Sequence, residues 1–181
     1  MTRRRSRALL VALAVTALGT GFVALMPSLA QAAPTRYEAE SATLSQATVA
    51  SNHTGFSGTG FVDYTNVAGG FIEWSFDAPA AGSATAVLRY ANGTGADRPM
   101  DITVNGTVAA TGVPFAPTAN WDTWTDATIP VTLKSGANVI RATATGTSGG
   151  PNVDKLSVSG VGTGGPDNQA PSAPPGNRHS G

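Results

Sequence analysis

From residue 37 to residue 158 the apolar side chains return at every second position, and no stretch of that span shows a helical period. Alternation is clear in Phe71-Ile72-Glu73-Trp74-Ser75-Phe76, in Thr85-Ala86-Val87-Leu88-Arg89-Tyr90 and in Met100-Asp101-Ile102-Thr103-Val104. It returns in Asn138-Val139-Ile140-Arg141-Ala142-Thr143 and in Val153-Asp154-Lys155-Leu156-Ser157-Val158. A period of two places one set of side chains on each face of a strand, so these segments read as half-buried strands. Turn chemistry separates them at short intervals: Ala68-Gly69-Gly70, Pro79-Ala80-Ala81-Gly82, Asn92-Gly93, Lys134-Ser135-Gly136 and Gly149-Gly150-Pro151. Asn105-Gly106, between Val104 and Val108, is a two-residue hairpin signal. Many short strands and no helix predict an all-β domain, a sandwich or a barrel.

Both ends of the chain stand apart from this pattern. Met1-Thr2-Arg3-Arg4-Arg5-Ser6-Arg7 is basic, residues 8–26 are apolar, and Ala30 and Ala32 are the small residues that a leader peptidase needs. Residues 1–32 are therefore expected to be a signal peptide cleaved after Ala32, with Ala33 as the neighbouring choice. An uncleaved anchor is the alternative, because about 19 apolar residues just span a bilayer. Gly19, Gly21 and the small residues that follow favour cleavage. Residues 161–181 are Gly, Pro, Ser and Asn with almost no apolar content, the composition of a flexible linker tail. The sandwich is thus expected over residues 36–160.

Charge and cysteine content exclude several functions. Without the four leader arginines, seven basic residues face eleven acidic ones, a net charge of −4. That balance gives no electrostatic footprint for nucleic acid. The chain has no cysteine, which rules out disulfides, thiolate metal sites and cysteine nucleophiles. An exported domain without disulfides must draw its stability from a core or a bound metal.

Glu38 and Glu40 point to a metal. Two apart on a strand, they would project from one face roughly 6–7 Å from each other. Like charges so placed repel unless a cation lies between them, and Ca2+ suits as a hard ion taking six to eight oxygens. The other reading is a pair of solvated glutamates on an edge strand. Inverting glycosidases space their carboxylates roughly 6.5–9.5 Å apart, but side-by-side residues of one short strand do not flank a sugar ring. His53 and His179 are the only histidines, and no Gly-x-Ser-x-Gly motif accompanies them, so a Ser-His-Asp triad is not expected. No catalytic residue is assigned.

An aromatic ring set in a polar loop, with amides and charged groups around it, suits a ligand that has both an apolar face and hydroxyls. Trp121 lies in the polar stretch Pro117-Thr118-Ala119-Asn120-Trp121-Asp122, where an indole has no evident core to fill. Trp124 opens a strand and suits either role, while Trp74 alternates inward with Phe76 and reads as core. Asn92 and Arg98 bracket the loop Gly93-Thr94-Gly95-Ala96-Asp97. Arg98 either pairs with a sugar carboxylate or forms an ordinary salt bridge with Asp97 or Asp101. Tyr64 and Phe61 are candidates for a second stacking wall. The sequons at Asn52, Asn92 and Asn105 read as turn chemistry.

Taken together, Arg36-Tyr37-Glu38-Ala39-Glu40, Gly58-Thr59-Gly60-Phe61-Val62-Asp63, Arg89-Tyr90-Ala91-Asn92-Gly93, Arg98-Pro99, Val104-Asn105-Gly106, Trp121-Asp122-Thr123-Trp124 and Gly150-Pro151-Asn152-Val153-Asp154-Lys155-Leu156 closely resemble carbohydrate-binding module family 35, and more loosely family 6. The order and spacing of these motifs carry the resemblance, which covers roughly residues 37–159. It implies a β-sandwich jelly roll of two antiparallel sheets, a structural Ca2+ and a sugar site in the loops at one end. Asp154 matches the family's remaining acidic metal ligand beside Glu38 and Glu40, with backbone carbonyls near Thr59 or Gly60 completing the shell. Trp121 matches the stacking tryptophan and Asn152 the ligand-binding asparagine.

The function so implied is a secreted, non-catalytic, calcium-containing carbohydrate-binding module that holds a catalytic domain against plant or microbial polysaccharide, with uronic-acid-containing or galactan-type glycans favoured. The expected partner is a polysaccharide or oligosaccharide, with no nucleic acid, no membrane after leader removal, and a monomeric state. A small polysaccharide hydrolase or lyase is one alternative; a structural adhesion domain is another.

Overall fold

The computed structural model describes residues 33–160, so the leader at 1–32 and the tail at 161–181 lie outside the described residues. Between those bounds the alternating segments become strands β1 (Thr35–Glu38), β2 (Thr43–Ser45), β3 (Ala47–Ala50), β4 (Phe61–Tyr64), β5 (Phe71–Ala78) and β6 (Gly82–Ala91). They continue as β7 (Met100–Val104), β8 (Thr107–Val113), β9 (Thr125–Leu133), β10 (Gly136–Ala144) and β11 (Asn152–Gly160). One turn of 3-10 helix, Ala39–Ser41, interrupts the run between β1 and β2.

Two antiparallel sheets result. The first runs β3-β4-β11-β6-β9, with β1 also pairing β11; the second runs β2-β5-β10-β7-β8. This is the β-sandwich jelly roll expected of the sequence. Each of the five alternating segments is a strand, and their inward residues meet in one core: Ile72, Trp74 and Phe76 from β5, Leu88 and Tyr90 from β6, Ile102 and Val104 from β7, Ile140 and Ala142 from β10, and Leu156 and Val158 from β11. Burying a side chain of that size contributes about 1.5–3 kcal/mol, so the alternation fixes which face of each strand turns inward. Trp74 is core, as its pattern predicts.

Local chemistry accounts for the edges and turns. Asn105 and Gly106 both have positive φ, 51° and 79°, and close the β7–β8 hairpin with Val104 opposite Thr107. That is the geometry an Asn-Gly pair favours because both central residues of the turn are left-handed. Pro130 lies within β9, which pairs only with β6; an edge strand tolerates the missing N–H.

One irregularity positions the functional region. Along the β11–β6 ladder Val153 faces Tyr90 and Lys155 faces Arg89, so Asp154 is the extra residue of a β-bulge. The bulge breaks the alternation: Asn152, Val153 and Asp154 are all buried in succession. Bulges re-aim a side chain, and here Asp154 is turned toward the loop at residues 57–59.

Candidate functional site

Glu38, Glu40 and Asp154 reach the same short loop. Glu38 is the last residue of β1, but Glu40 belongs to the 3-10 turn. The two glutamates are therefore not neighbours on one strand face. That expectation fails because the chain bends away from the sheet straight after Glu38. Their convergence comes from the loop instead: Ser57 Oγ donates to Glu38 Oε2 at 2.8 Å, and the Thr59 N–H donates to Glu40 Oε1 at 2.8 Å. The Ser57 N–H donates to Asp154 Oδ1 at 2.7 Å. Gly58 sits between, with φ of 67°, and a Cβ there would overlap Glu40 Oε1 and crowd the Glu38 carboxyl. Only glycine supplies both that conformation and that space.

The electrostatics of this cluster are uneven. Fully buried Asp154 is paired with Arg89, whose Nη1 lies 2.6 Å from Oδ2, with Lys155 Nζ at 3.6 Å. Glu38 has no such cation in contact. Burial raises its carboxyl above the usual range, and the charges of Asp154 and Glu40 push it further against the lowering effects of Ser57 and Lys155. Glu40 Oε2 is buried without any hydrogen-bond partner. Among the described residues no three His, Cys, Asp or Glu side chains close a metal shell by themselves; Asp154 is already held by Arg89 and Ser57. The donors are all oxygens, and the orphaned Glu40 oxygen beside a second carboxylate fits a hard divalent cation.

A second group forms where the loops at residues 51–60, 92–99, 114–124 and 145–151 come together. Trp121 lies in the 114–124 loop and is half-buried. Asn120 shapes its neighbourhood, since Oδ1 accepts the Asp122 N–H at 2.9 Å and Thr123 Oγ1 at 3.0 Å. Gly93 backs the indole so closely that a Cβ would lie 2.5 Å from the ring. The Arg98 guanidinium carbon stands 5.4 Å from the Trp121 ring centroid.

Arg98 is 9% exposed. Its Nη1 donates to Gly150 O at 2.9 Å and to Asn66 Oδ1 at 3.3 Å, while Nε has no partner. The salt bridge to Asp97 or Asp101 does not form: Asp97 Oδ1 accepts the Phe115 N–H and Asp101 Oδ1 accepts the Gly112 N–H. Burial lowers the guanidinium's basicity, with nearby Asp63 opposing. Asn152 opens β11 opposite Ala91 and is 4% exposed. Trp121, Arg98 and Asn152 thus remain binding candidates.

Three other candidates turn out to be structural. Asn92 is fully buried with every polar atom engaged: Nδ2 donates to Ala96 O at 2.9 Å and Phe115 O at 2.8 Å, and Oδ1 accepts from Thr94 N and Oγ1. It organises the loop under Trp121 and has no group left for a ligand. Tyr64 is buried too, with its hydroxyl donating to Ala142 O at 2.8 Å and its acidity suppressed by burial. Phe61 is completely enclosed, its ring 5.6 Å from those of both Phe56 and Trp124. Neither ring forms a second stacking wall: Tyr64 points into the core, and Phe61, on the opposite face of β4, is covered by Phe56 and Trp124. Trp124 acts as an anchor, with Nε1 donating to Thr54 O at 2.8 Å.

The structure adds His53 and Asp122 to this group: the His53 ring lies 6.1 Å from that of Trp121, tilted by 28°. Its Nδ1 is 3.6 Å from Asp122 Oδ1. The available signal was that Asp122 directly follows Trp121. A cleft of about 610 Å³ lined by Val104, Val108, Val131 and Leu133, among others, contains none of these residues.

A β-sandwich that gathers a half-buried indole and a guanidinium in its end loops, with Asn152 at the start of the neighbouring strand, has the build of a carbohydrate-binding module. The family model for carbohydrate binding module family 35 matches residues 35–161, and the chain belongs to that family. It is 52% identical over 125 residues to the exo-beta-D-glucosaminidase of Amycolatopsis orientalis, a match covering 69% of this chain and 12% of that protein. The native structure of a family 35 module from Clostridium thermocellum superposes with a TM-score of 0.69 at 47% identity, over 70% of this chain and 98% of that one. Xyl-CBM35, solved in complex with a disaccharide containing glucuronic acid, gives a TM-score of 0.64 at 37% identity, over 70% and 93%. The chain thus spans about an eighth of the glucosaminidase and nearly all of each solved module.

Proposed function

We propose that this module binds acidic sugars non-catalytically through Trp121, Arg98 and Asn152, and that it serves an exported protein in which it holds a catalytic domain against polysaccharide. The observation that carries the reading is Arg98: a nearly buried guanidinium over an indole, without an ion pair among the described residues and with an orphaned Nε. A buried N–H without an acceptor is costly, and a sugar carboxylate would supply that acceptor in the planar geometry a guanidinium favours. This favours uronic acids over neutral galactans. The glucuronic-acid-containing ligand of the related module Xyl-CBM35 is in keeping with that choice.

Glu38, Glu40 and Asp154 are proposed to hold a Ca2+ ion against the loop at residues 57–59. When bound, the ion supplies positive charge that relieves the crowding of Glu38 and Glu40. The protein's own part is to bring the end of β1, the 3-10 turn and the bulge of β11 to one place. Tethering to a glycoside hydrolase is proposed from the glucosaminidase relative, of which this domain covers only a small part.

Isothermal titration with glucuronic acid and with galactose, on the wild type and Arg98→Gln, tests the binding reading. Binding of glucuronic acid that is lost in Arg98→Gln supports it; equal binding of both sugars that is indifferent to Arg98 contradicts it.

A further inference from the structure

We propose that His53 is the second cation of the sugar site: with Arg98 it selects carboxylate-bearing sugars, and its protonation strengthens their binding while leaving neutral sugars unaffected. The inference rests on the sugar-binding reading above and adds to it a residue and a pH dependence.

His53 is the only histidine among the described residues. Its side chain is 25% exposed, so the ring meets both solvent and the protein. It packs 5.7 Å from the Phe61 ring and 6.1 Å from that of Trp121. The charged groups facing it come from two elements. Asp122, in the 114–124 loop, has Oδ1 at 3.6 Å from Nδ1. Asp63, on β4, has its carboxyl raised above the usual range by burial, with the nearby charges of Arg98 and His53 opposing. Arg98 in turn leans over Trp121. One indole is therefore flanked by an imidazole and a guanidinium, with Asp122 beside the imidazole.

Protonation of His53 adds positive charge beside the indole over which Arg98 already leans, and so favours an incoming sugar carboxylate. Imidazole is the side chain whose charge changes between pH 5 and 8. Asp122 is the charged group nearest the imidazole, and its Oδ1 is held in place by the Thr54 N–H at 2.7 Å and Thr54 Oγ1 at 3.2 Å. A unit charge about 6 Å from a ligand carboxylate, in a partly hydrated site, changes affinity about three- to tenfold.

The test is isothermal titration of glucuronic acid and of glucose at pH 7.5 and pH 5.5, with Ca2+ held constant. It uses the wild type, His53→Gln and His53→Phe. The phenylalanine variant keeps a ring against Phe61 and Trp121, so it preserves the packing while removing the charge; melting curves at both pH values check the fold. Expected is a rise of about three- to tenfold in wild-type affinity for glucuronic acid at the lower pH, flat in both variants, with glucose either unbound or unchanged. A wild-type affinity that does not rise, a rise that persists in either variant, or an equal rise for glucose overturns the inference. Glucuronic acid binding that is pH-independent overturns the role of His53 alone. No binding at either pH overturns the sugar-binding reading with it.

Discussion

The carboxylate of Asp122 accepts the backbone N–H of Thr54 at 2.7 Å, which joins the loop before β4 to the loop that carries Trp121. Trp124 Nε1 makes a second tie to Thr54 O. The indole proposed to meet the sugar is therefore positioned by a loop from a distant part of the sequence.

Asp122→Ala should loosen the loop that carries Trp121 while barely moving the melting temperature, since the tie is exposed and orders a loop more than it stabilises the core. Its pH dependence has a definite sign. The Thr54 N–H holds the Asp122 carboxyl below its usual range, chiefly by hydrogen bonding to the charged form. The tie is thus fully present above the ordinary carboxylate pKa and is lost only as pH falls through the lowered folded value. Loop amide protection at Thr54, measured by hydrogen exchange down to pH 4, should stay intact in the wild type and be absent in Asp122→Ala.

Gly93→Ala should abolish sugar binding without unfolding the domain. A Cβ there would lie 2.5 Å from the Trp121 ring, so the indole must move. Gly95, two residues along the same loop, has open space around it, and Gly95→Ala should bind like the wild type. Titration of both variants beside a circular dichroism spectrum checks the contrast.

Asn92→Ala should weaken both stability and binding. It removes the donors to the Ala96 and Phe115 carbonyls, and an unsatisfied buried polar group costs about 1–3 kcal/mol. Thermal melting should show the loss; an unchanged melting temperature would mean that the loop does not depend on Asn92.

Chelation should lower the melting temperature, and added Ca2+ should restore it. An ion present at about 100 times its dissociation constant stabilises the native state by about 2.7 kcal/mol. Glu40→Gln should melt lower than the wild type in Ca2+ and lose most of its response to chelator. Calorimetry with and without chelator is the measurement.

How much of this was legible beforehand depends on where each residue's constraint comes from. Strands β5, β6, β7, β10 and β11 alternate because one face packs into the core, and that contrast is written in their sequences. β3 and β8 are edge strands with largely exposed residues, so no apolar rhythm marks them. Trp121 and Arg98 stood out as bulky or charged residues in a loop. Tyr64 did not reveal itself as structural, because its partner Ala142 lies far along the chain; Asn92 combines local bonds to Thr94 and Ala96 with one to distant Phe115, and only the last of these closes off its amide. The bulge at Asp154 and the bend after Glu38 arise from strand pairing and leave no local signature.

Trp121→Ala tests the central claim most directly. Titrated with a glucuronic-acid-containing oligosaccharide beside the wild type, and with a matching circular dichroism spectrum, the variant should retain the fold and show no measurable binding. Undiminished affinity in a folded Trp121→Ala protein would place the sugar elsewhere and contradict the account.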